Sequence, residues 1–185
     1  MEQAWAYGVG MQRLILLRHG KAERESLSGD DHARRLTPRG RRDALEAGQR
    51  LTEMGFTPDL ALVSDAARTR ETWESLKPVC DACEVRFDDG LYHAEAQTVL
   101  DRVREVAGQA GTVLVVGHNP GLHELVLRLL IEGGASGDLL NTARSRFPTS
   151  AAAVFLFDGQ GRPVYDRSDE RRVGQECRAR WSPWH

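Results

Sequence analysis

The sequence predicts an α/β protein, a three-layer α/β/α sandwich built around one mostly parallel sheet. Three observations carry that prediction. Apolar runs at residues 14–17, 60–63 and 112–116 have the length of buried strands. Each is followed by a segment whose apolar residues recur at helical spacing. Strands that alternate with helices, and are apolar throughout, belong to a parallel sheet covered on both faces.

The elements follow in order. The first run stops abruptly at Arg18-His19-Gly20, and polar residues 21–35 read as a loop. Thr37 is a good N-cap, and Pro38 after it is the residue best tolerated at the first helical position. Ala44, Leu45, Gly48 and Leu51 then keep one helical face until Gly55. The second run leaves at Ser64-Asp65, and a helix bearing Arg68, Thr72, Trp73 and Leu76 stops near Pro78. Residues 85–87 read as a short strand, and Val99, Leu100, Val103 and Val106 line a third helix ended by Gly108. The third run leaves at Gly117-His118. Asn119-Pro120 repeats the cap-and-proline start, predicting a helix with Leu122, Leu125, Val126, Leu129 and Leu130 buried and Gly133-Gly134 at its end. Residues 135–150 show little periodicity and read as loop. Residues 151–157 form a last strand, turning at Asp158-Gly159 and returning through Val164-Tyr165 as a hairpin.

A chain of 185 residues supports one domain with a well-covered core. Met11 reads as a natural start, which leaves residues 1–10 as an N-terminal extension and places the domain at 11–167. Residues 168–185 are Arg-rich and poorly periodic and are expected to be a disordered tail. A formal charge of −2 argues against nucleic acid or an anionic membrane as partner. No run reaches the roughly 18 apolar residues that cross a bilayer, and MEQAWAYGVG lacks the basic start and apolar stretch of a secretory signal. A cytoplasmic location is therefore expected. Cys80, Cys83 and Cys177 are too few and too odd for a disulfide framework. The single C-x-x-C pair trails Pro78 instead of opening a helix, and cannot complete a four-ligand zinc site, so these cysteines read as incidental.

In open α/β sheets the ligand crevice lies at the carboxyl ends of the strands. The segments that leave those ends carry Arg18 and His19, then Arg68, then His118. Arginine is always charged and its planar fork matches phosphate oxygens. A neutral imidazole is available near pH 7 to attack phosphorus, while a second, protonated histidine could steady the equatorial oxygens. Gly20 would let the backbone approach the ligand, and the helix opened by Asn119-Pro120 would point its positive end into the same crevice. Alone, each residue has a plainer role as loop polar group, solvated side chain or helix cap; the convergence of four at three strand exits points to an anion site. No metal site is expected. His118 and His123 are five apart and not four, H-E-x-x-H is absent, His93 is isolated, and arginines would repel a cation. No Walker loop or dinucleotide fingerprint is present, and no cofactor is expected.

Four blocks in order carry a resemblance to a family: Leu-Arg-His-Gly (17–20), Leu-Thr-Pro-Arg-Gly (36–40), Ser-Asp-Ala-Ala-Arg-Thr-Arg-Glu-Thr (64–72) and Val-Gly-His-Asn-Pro-Gly (116–121). Over residues 12–158 the chain resembles the histidine phosphatase superfamily. The resemblance implies a phosphoglycerate-mutase-like fold, His19 as the residue phosphorylated in the cycle, and Arg18, Arg68 and His118 completing the phosphate pocket. Within the superfamily the chain is similar to the phosphohistidine phosphatase SixA type, because only about fifty residues separate Arg68 from His118 and leave no room for a large lid insertion. Larger relatives place a glutamate proton donor where this chain has His93; Asp88, Asp89 and Glu95 are nearby alternatives. A phosphoramidate needs less help from an acid than an ester does, so phosphohistidine on a protein is the expected substrate. The alternatives are a small-molecule phosphomonoesterase acting on nucleotide or sugar phosphates, and a phosphate-binding module without turnover. The sequence leaves the oligomeric state unspecified.

Overall fold

Strands at the middle of a parallel sheet must be apolar on both faces, and the three apolar runs fall there. A computed structural model describes residues 10–164. In it β1 (Arg13–Arg18), β2 (Leu60–Ser64), β3 (Glu84–Asp88), β4 (Thr112–Gly117), β5 (Ala152–Phe157) and β6 (Pro163–Val164) form one sheet in the order β3-β2-β4-β1-β5-β6. The first four strands run parallel, with Arg18 opposite Gly117 and Val63 opposite Val116. β5 is antiparallel to β1, and β6 to β5.

Alternate residues of the central strands feed two cores. Ile15, Leu17, Ala61, Val63, Leu114 and Val116 pack with Ala44, Leu51, Trp73 and Leu76 of α1 (Pro38–Glu53) and α2 (Ala67–Leu76). Leu14, Leu16, Leu60, Leu62, Val113 and Val115 face the opposite layer, which comprises α3 (Ala96–Val106), α4 (Gly121–Glu132) and α5 (Gly137–Ser145). Three layers result. Thr37 caps α1 as expected, its Oγ1 accepting from Gly40 N at 2.9 Å with Pro38 in the first turn.

Two expectations are corrected. Residues 135–150 are not all loop: Ser136 caps α5 through Leu139 N, Ala143 is buried, and Phe147 packs into the core beside Leu14 and Leu16 of the sheet. Asn119 does not cap α4. The Asn119–Pro120 peptide is cis, the helix begins at Gly121, and Asn119 Nδ2 instead donates to Phe147 O at 2.9 Å. The expected hairpin is present through Pro163–Val164; Tyr165, residues 1–9 and the 168–185 tail lie outside the described residues. Met11 is buried in the core. The C-x-x-C pair follows a 3₁₀ turn and is not bridged; burial pushes the Cys83 thiol up to about 12 and raises Cys80 as well. Among the described residues no helix is long and apolar enough to cross a membrane.

Candidate active site

Parallel strands end together, so β1, β2 and β4 bring their following residues to one edge. His19 directly follows β1 and continues its ladder, its N–H donating to Gly117 O at 3.1 Å. His118 directly follows β4, and the two imidazole centroids lie 5.3 Å apart. Arg68 enters from the first turn of α2, the helix after β2. All three are nearly closed off from water, at 7%, 4% and 2% exposure. Arg18, the last residue of β1, is half-buried and donates through Nη1 to Phe147 O at 2.8 Å.

Each ring has one nitrogen held. His19 Nδ1 lies 2.7 Å from Gly20 O. A carbonyl only accepts, so Nδ1 carries the proton and Nε2 keeps its lone pair. Burial, with the charges of Arg68, Arg18 and Arg34 adding to it, pushes the His19 pKa down to about 4, against a smaller opposing effect of the Gly20 carbonyl. His118 Nε2 lies 2.8 Å from Ser64 Oγ, itself fully buried at the end of β2. Burial first, then the neighbouring His19 and Arg68, push His118 down to about 2. Against the expectation of a protonated second histidine, burial beside the arginines disfavours the charged form of both rings, because two further cations would be desolvated together. Among the described residues, the buried Arg18 Nε, Arg68 Nε and His118 Nδ1 have no hydrogen-bond partner. Three unsatisfied nitrogens in one crevice fit a multidentate oxyanion.

Gly20 also serves the packing of its own loop. A Cβ there would meet Gly40 O at 2.5 Å, and a Cβ at Gly40 would meet Lys21 O at 2.1 Å. The two glycines let the His19 loop lie directly on α1, while Thr72 Oγ1 of α2 accepts from Gly20 N at 3.0 Å. Glu71 ties the next loop to α2 by accepting from Leu36 N at 2.7 Å and Arg41 Nη2 at 2.8 Å. Gly121 is a third close approach, since its Cβ would meet Ala94 O at 1.9 Å. It sets the Tyr92–Glu95 segment against α4.

Sequence reasoning missed Asp31, Tyr92 and Ser64. Asp31 O accepts from Arg68 Nη1 at 2.8 Å, and Asp31 Oδ2 from Arg68 Nη2 at 3.1 Å and Tyr92 Oη at 2.8 Å. These pairs span 37 and 61 residues, beyond any local pattern; a carboxylate in a loop next to the phosphate blocks was the one available signal. Of the expected proton donors, His93 reaches the cluster: its ring centroid lies 5.5 Å from that of His118 and Nε2 accepts from Arg68 Nη2 at 3.2 Å. It adopts φ +50°, a left-handed conformation that histidine enters more readily than bulkier residues. Asp89 and Glu95 are exposed, and among the described residues neither is hydrogen-bonded or ion-paired to the cluster. Asp88 is committed to Arg102 at 3.1 Å and Gly90 N at 2.8 Å. Among the described residues no three His, Cys, Asp or Glu side chains form a group that could hold a metal ion.

A positive, desolvated pocket with one nucleophilic imidazole is suited to phosphoryl transfer, and the comparisons agree. The family model for the histidine phosphatase superfamily (branch 1) matches residues 14–96. A structure assigned as phosphohistidine phosphatase SixA from Agrobacterium tumefaciens is 30% identical, covering 80% of this chain and 92% of that one, with a TM-score of 0.71. The chain belongs to the histidine phosphatase superfamily. A second structure assigned as SixA, from Nakamurella multipartitia, is 32% identical over 84% of this chain and 93% of its own, with a TM-score of 0.70. An uncharacterized protein of Mycobacterium leprae is 34% identical over 130 residues, 70% of this chain and 78% of that protein. The superfamily's fold is the phosphoglycerate-mutase-like α/β sandwich described above, and membership makes this chain a phosphatase.

Proposed function

We propose that the protein removes the phosphoryl group from phosphohistidine on another protein, through a phosphoenzyme formed on His19. Arg18 and Arg68 bind the phosphoryl oxygens, and His118 donates to them through Nδ1 while Ser64 Oγ–H donates to its Nε2. His19 Nε2 attacks phosphorus, its Nδ1–H remaining on Gly20 O. Water then attacks phospho-His19 and releases inorganic phosphate.

One observation carries the choice of substrate. Among the described residues, the carboxyl group in contact with the cluster is Asp31, held below its usual pKa first by the Tyr92 hydroxyl and also by Arg68 and Arg34, so it is ionised and cannot act as the acid. A leaving alkoxide wants a proton in the transition state, an effect worth about 10²- to 10⁴-fold. Phosphohistidine protonated on its far ring nitrogen leaves as neutral imidazole and asks for none. Transfer from one imidazole to another is also nearly balanced in energy, since bond made and bond broken are alike. The 3₁₀ turns, β3 and α3 account for the chain between α2 and β4, which leaves the mouth open to a protein-borne side chain.

His93 supports the second reading. Its side chain is 56% exposed at the mouth, where it could protonate the leaving oxygen of a small phosphate ester. A cytoplasmic location goes with the first reading, and the unbridged Cys80 and Cys83 fit a reducing compartment. The test is phosphate release from a phosphohistidine peptide, from sugar phosphates and from p-nitrophenyl phosphate, each with and without EDTA. Fastest turnover of the phosphohistidine peptide, unchanged by EDTA, is expected. Faster turnover of the sugar phosphates would replace this reading with the second.

A further inference from the structure

The phosphohistidine reading needs the far ring nitrogen of the substrate to stay protonated while the P–N bond breaks, and a carboxylate stands where it could hold that proton. We infer that Asp31 is the specificity-determining contact of the site, its carboxylate accepting the distal N–H of the substrate imidazole. The inference rests on the phosphohistidine reading above.

Four observations support it. Asp31 is 45% exposed, so its carboxylate is open to an incoming ligand. It lies on the far side of the Arg68 guanidinium, whose Nη2 is 3.1 Å from Oδ2 and whose Nε is an unsatisfied nitrogen of the pocket. One guanidinium therefore separates the carboxylate from the oxyanion site. A carboxylate offers about four lone-pair positions. Tyr92 Oη and Arg68 Nη2 occupy Oδ2, while Arg34 Nε lies 3.3 Å from Oδ1 and leaves a position there. Finally, Tyr92 and His93 stack at 4.3 Å beside this position, with Tyr92 edge-on to His118 at 5.5 Å, making an aromatic wall for a planar ring.

The transfer then requires no proton movement. The lone pair of His19 Nε2 forms the new N–P bond. The pair of the old P–N bond returns to the substrate's proximal nitrogen, and the imidazole leaves neutral, its distal nitrogen keeping the proton and still donating it to the Asp31 carboxylate. An ester offers no N–H there and brings developing negative charge towards a carboxylate. The same residue thus favours the phosphoramidate and disfavours the ester.

The test is the ratio of kcat/KM for a phosphohistidine peptide to kcat/KM for p-nitrophenyl phosphate, measured in native protein and Asp31→Asn. Loss of one charge-assisted hydrogen bond predicts a fall of about 10- to 100-fold in the ratio. Loosening of Arg68 would slow both substrates together and leave the ratio unmoved. The alkaline limb of the phosphohistidine profile, where the distal proton is lost, is expected to move about one pH unit lower in the variant, which loses a 1.4 kcal/mol preference for the charged ring. Tyr92, His93, His118, Arg34 and Arg68 are the other titratable or charged groups facing Asp31, and all are unchanged in it. Tyr92→Phe, which frees the carboxylate from one of its anchors, should lower the same ratio by a smaller factor and stands in if Asp31→Asn does not fold. A ratio within twofold of native, with the limb in place, overturns the inference alone. Silence of the native protein on phosphohistidine beside turnover of the ester overturns the substrate reading and the inference with it.

Discussion

Gly40→Ala is the most informative single change outside the anion pocket, because it touches no group that would meet substrate. The added Cβ would sit 2.1 Å from Lys21 O and 2.8 Å from Lys21 N. Ordinary contact begins at 3.4 Å, so α1 and the loop after His19 must separate by roughly 1.3 Å, with backbone on both sides and no flexible side chain to yield. Gly20 N is meanwhile tied to Thr72 Oγ1, and His19 N to Gly117 O. The strain thus falls on the segment that aims Nε2 of His19. Overpacking of this kind costs about 1–3 kcal/mol of stability, and a displacement near 1 Å costs about 10²-fold in rate. The assays are urea unfolding and steady-state turnover of p-nitrophenyl phosphate. A folded variant with kcat/KM down about a hundredfold is expected. Full activity with an unchanged unfolding midpoint would refute the idea that the two glycines position the nucleophile.

The remaining predictions concern protons and one hydroxyl. With His19 depressed to about 4, its neutral form persists across the range from 7 to 4, so kcat/KM, corrected for substrate ionisation, should stay level to about pH 5 and halve near pH 4. A limb centred at 6.5 in that profile would mean the nucleophile is not desolvated. Stability should show the complementary trend. Unfolded histidines gain protons below about 6.5 whereas folded His19 and His118 do not, so stability is full above that pH and falls towards pH 4 by up to about 1.4 kcal/mol per unit for each ring. Urea midpoints from pH 7.5 to 4.5 that are flatter in a His118→Gln variant would bear this out; identical slopes would not. Ser64→Ala removes the hydroxyl that orients His118 and leaves Nε2 buried without a partner. A stability loss of about 1–3 kcal/mol is expected, together with at least a tenfold drop in kcat/KM; native kinetics would show that the His118 tautomer does not matter.

Much of the sandwich is written locally in the chain. The buried strands announce themselves by apolar runs, and Thr37-Pro38 marks a helix start by chemistry that needs no tertiary partner. Asn119-Pro120 shows the limit of that reasoning, since the same dipeptide serves as a cap or as a turn. Here Phe147 O, 28 residues away, captures the Asn119 amide and the helix starts later. Helix α5 escaped because it buries only Ala143 along its own length, too little for a periodic signal. In the site, His19, His118 and Arg18 were legible because strand exits converge by topology. Their protonation was not, because it depends on how much water the fold removes. Asp31 and Tyr92 were hidden for another reason: their meaning lies in contacts with Arg68 that no short window contains.

The central claim is that the phosphoryl group rests on His19 during turnover. Rapid quenching of the enzyme with a radiolabelled phosphohistidine peptide, followed by peptide mapping at alkaline pH, tests it most directly. The account predicts an acid-labile, alkali-stable label on the peptide containing His19, appearing before inorganic phosphate and absent from His19→Ala. Phosphate release without that label, or undiminished turnover by His19→Ala, would contradict it.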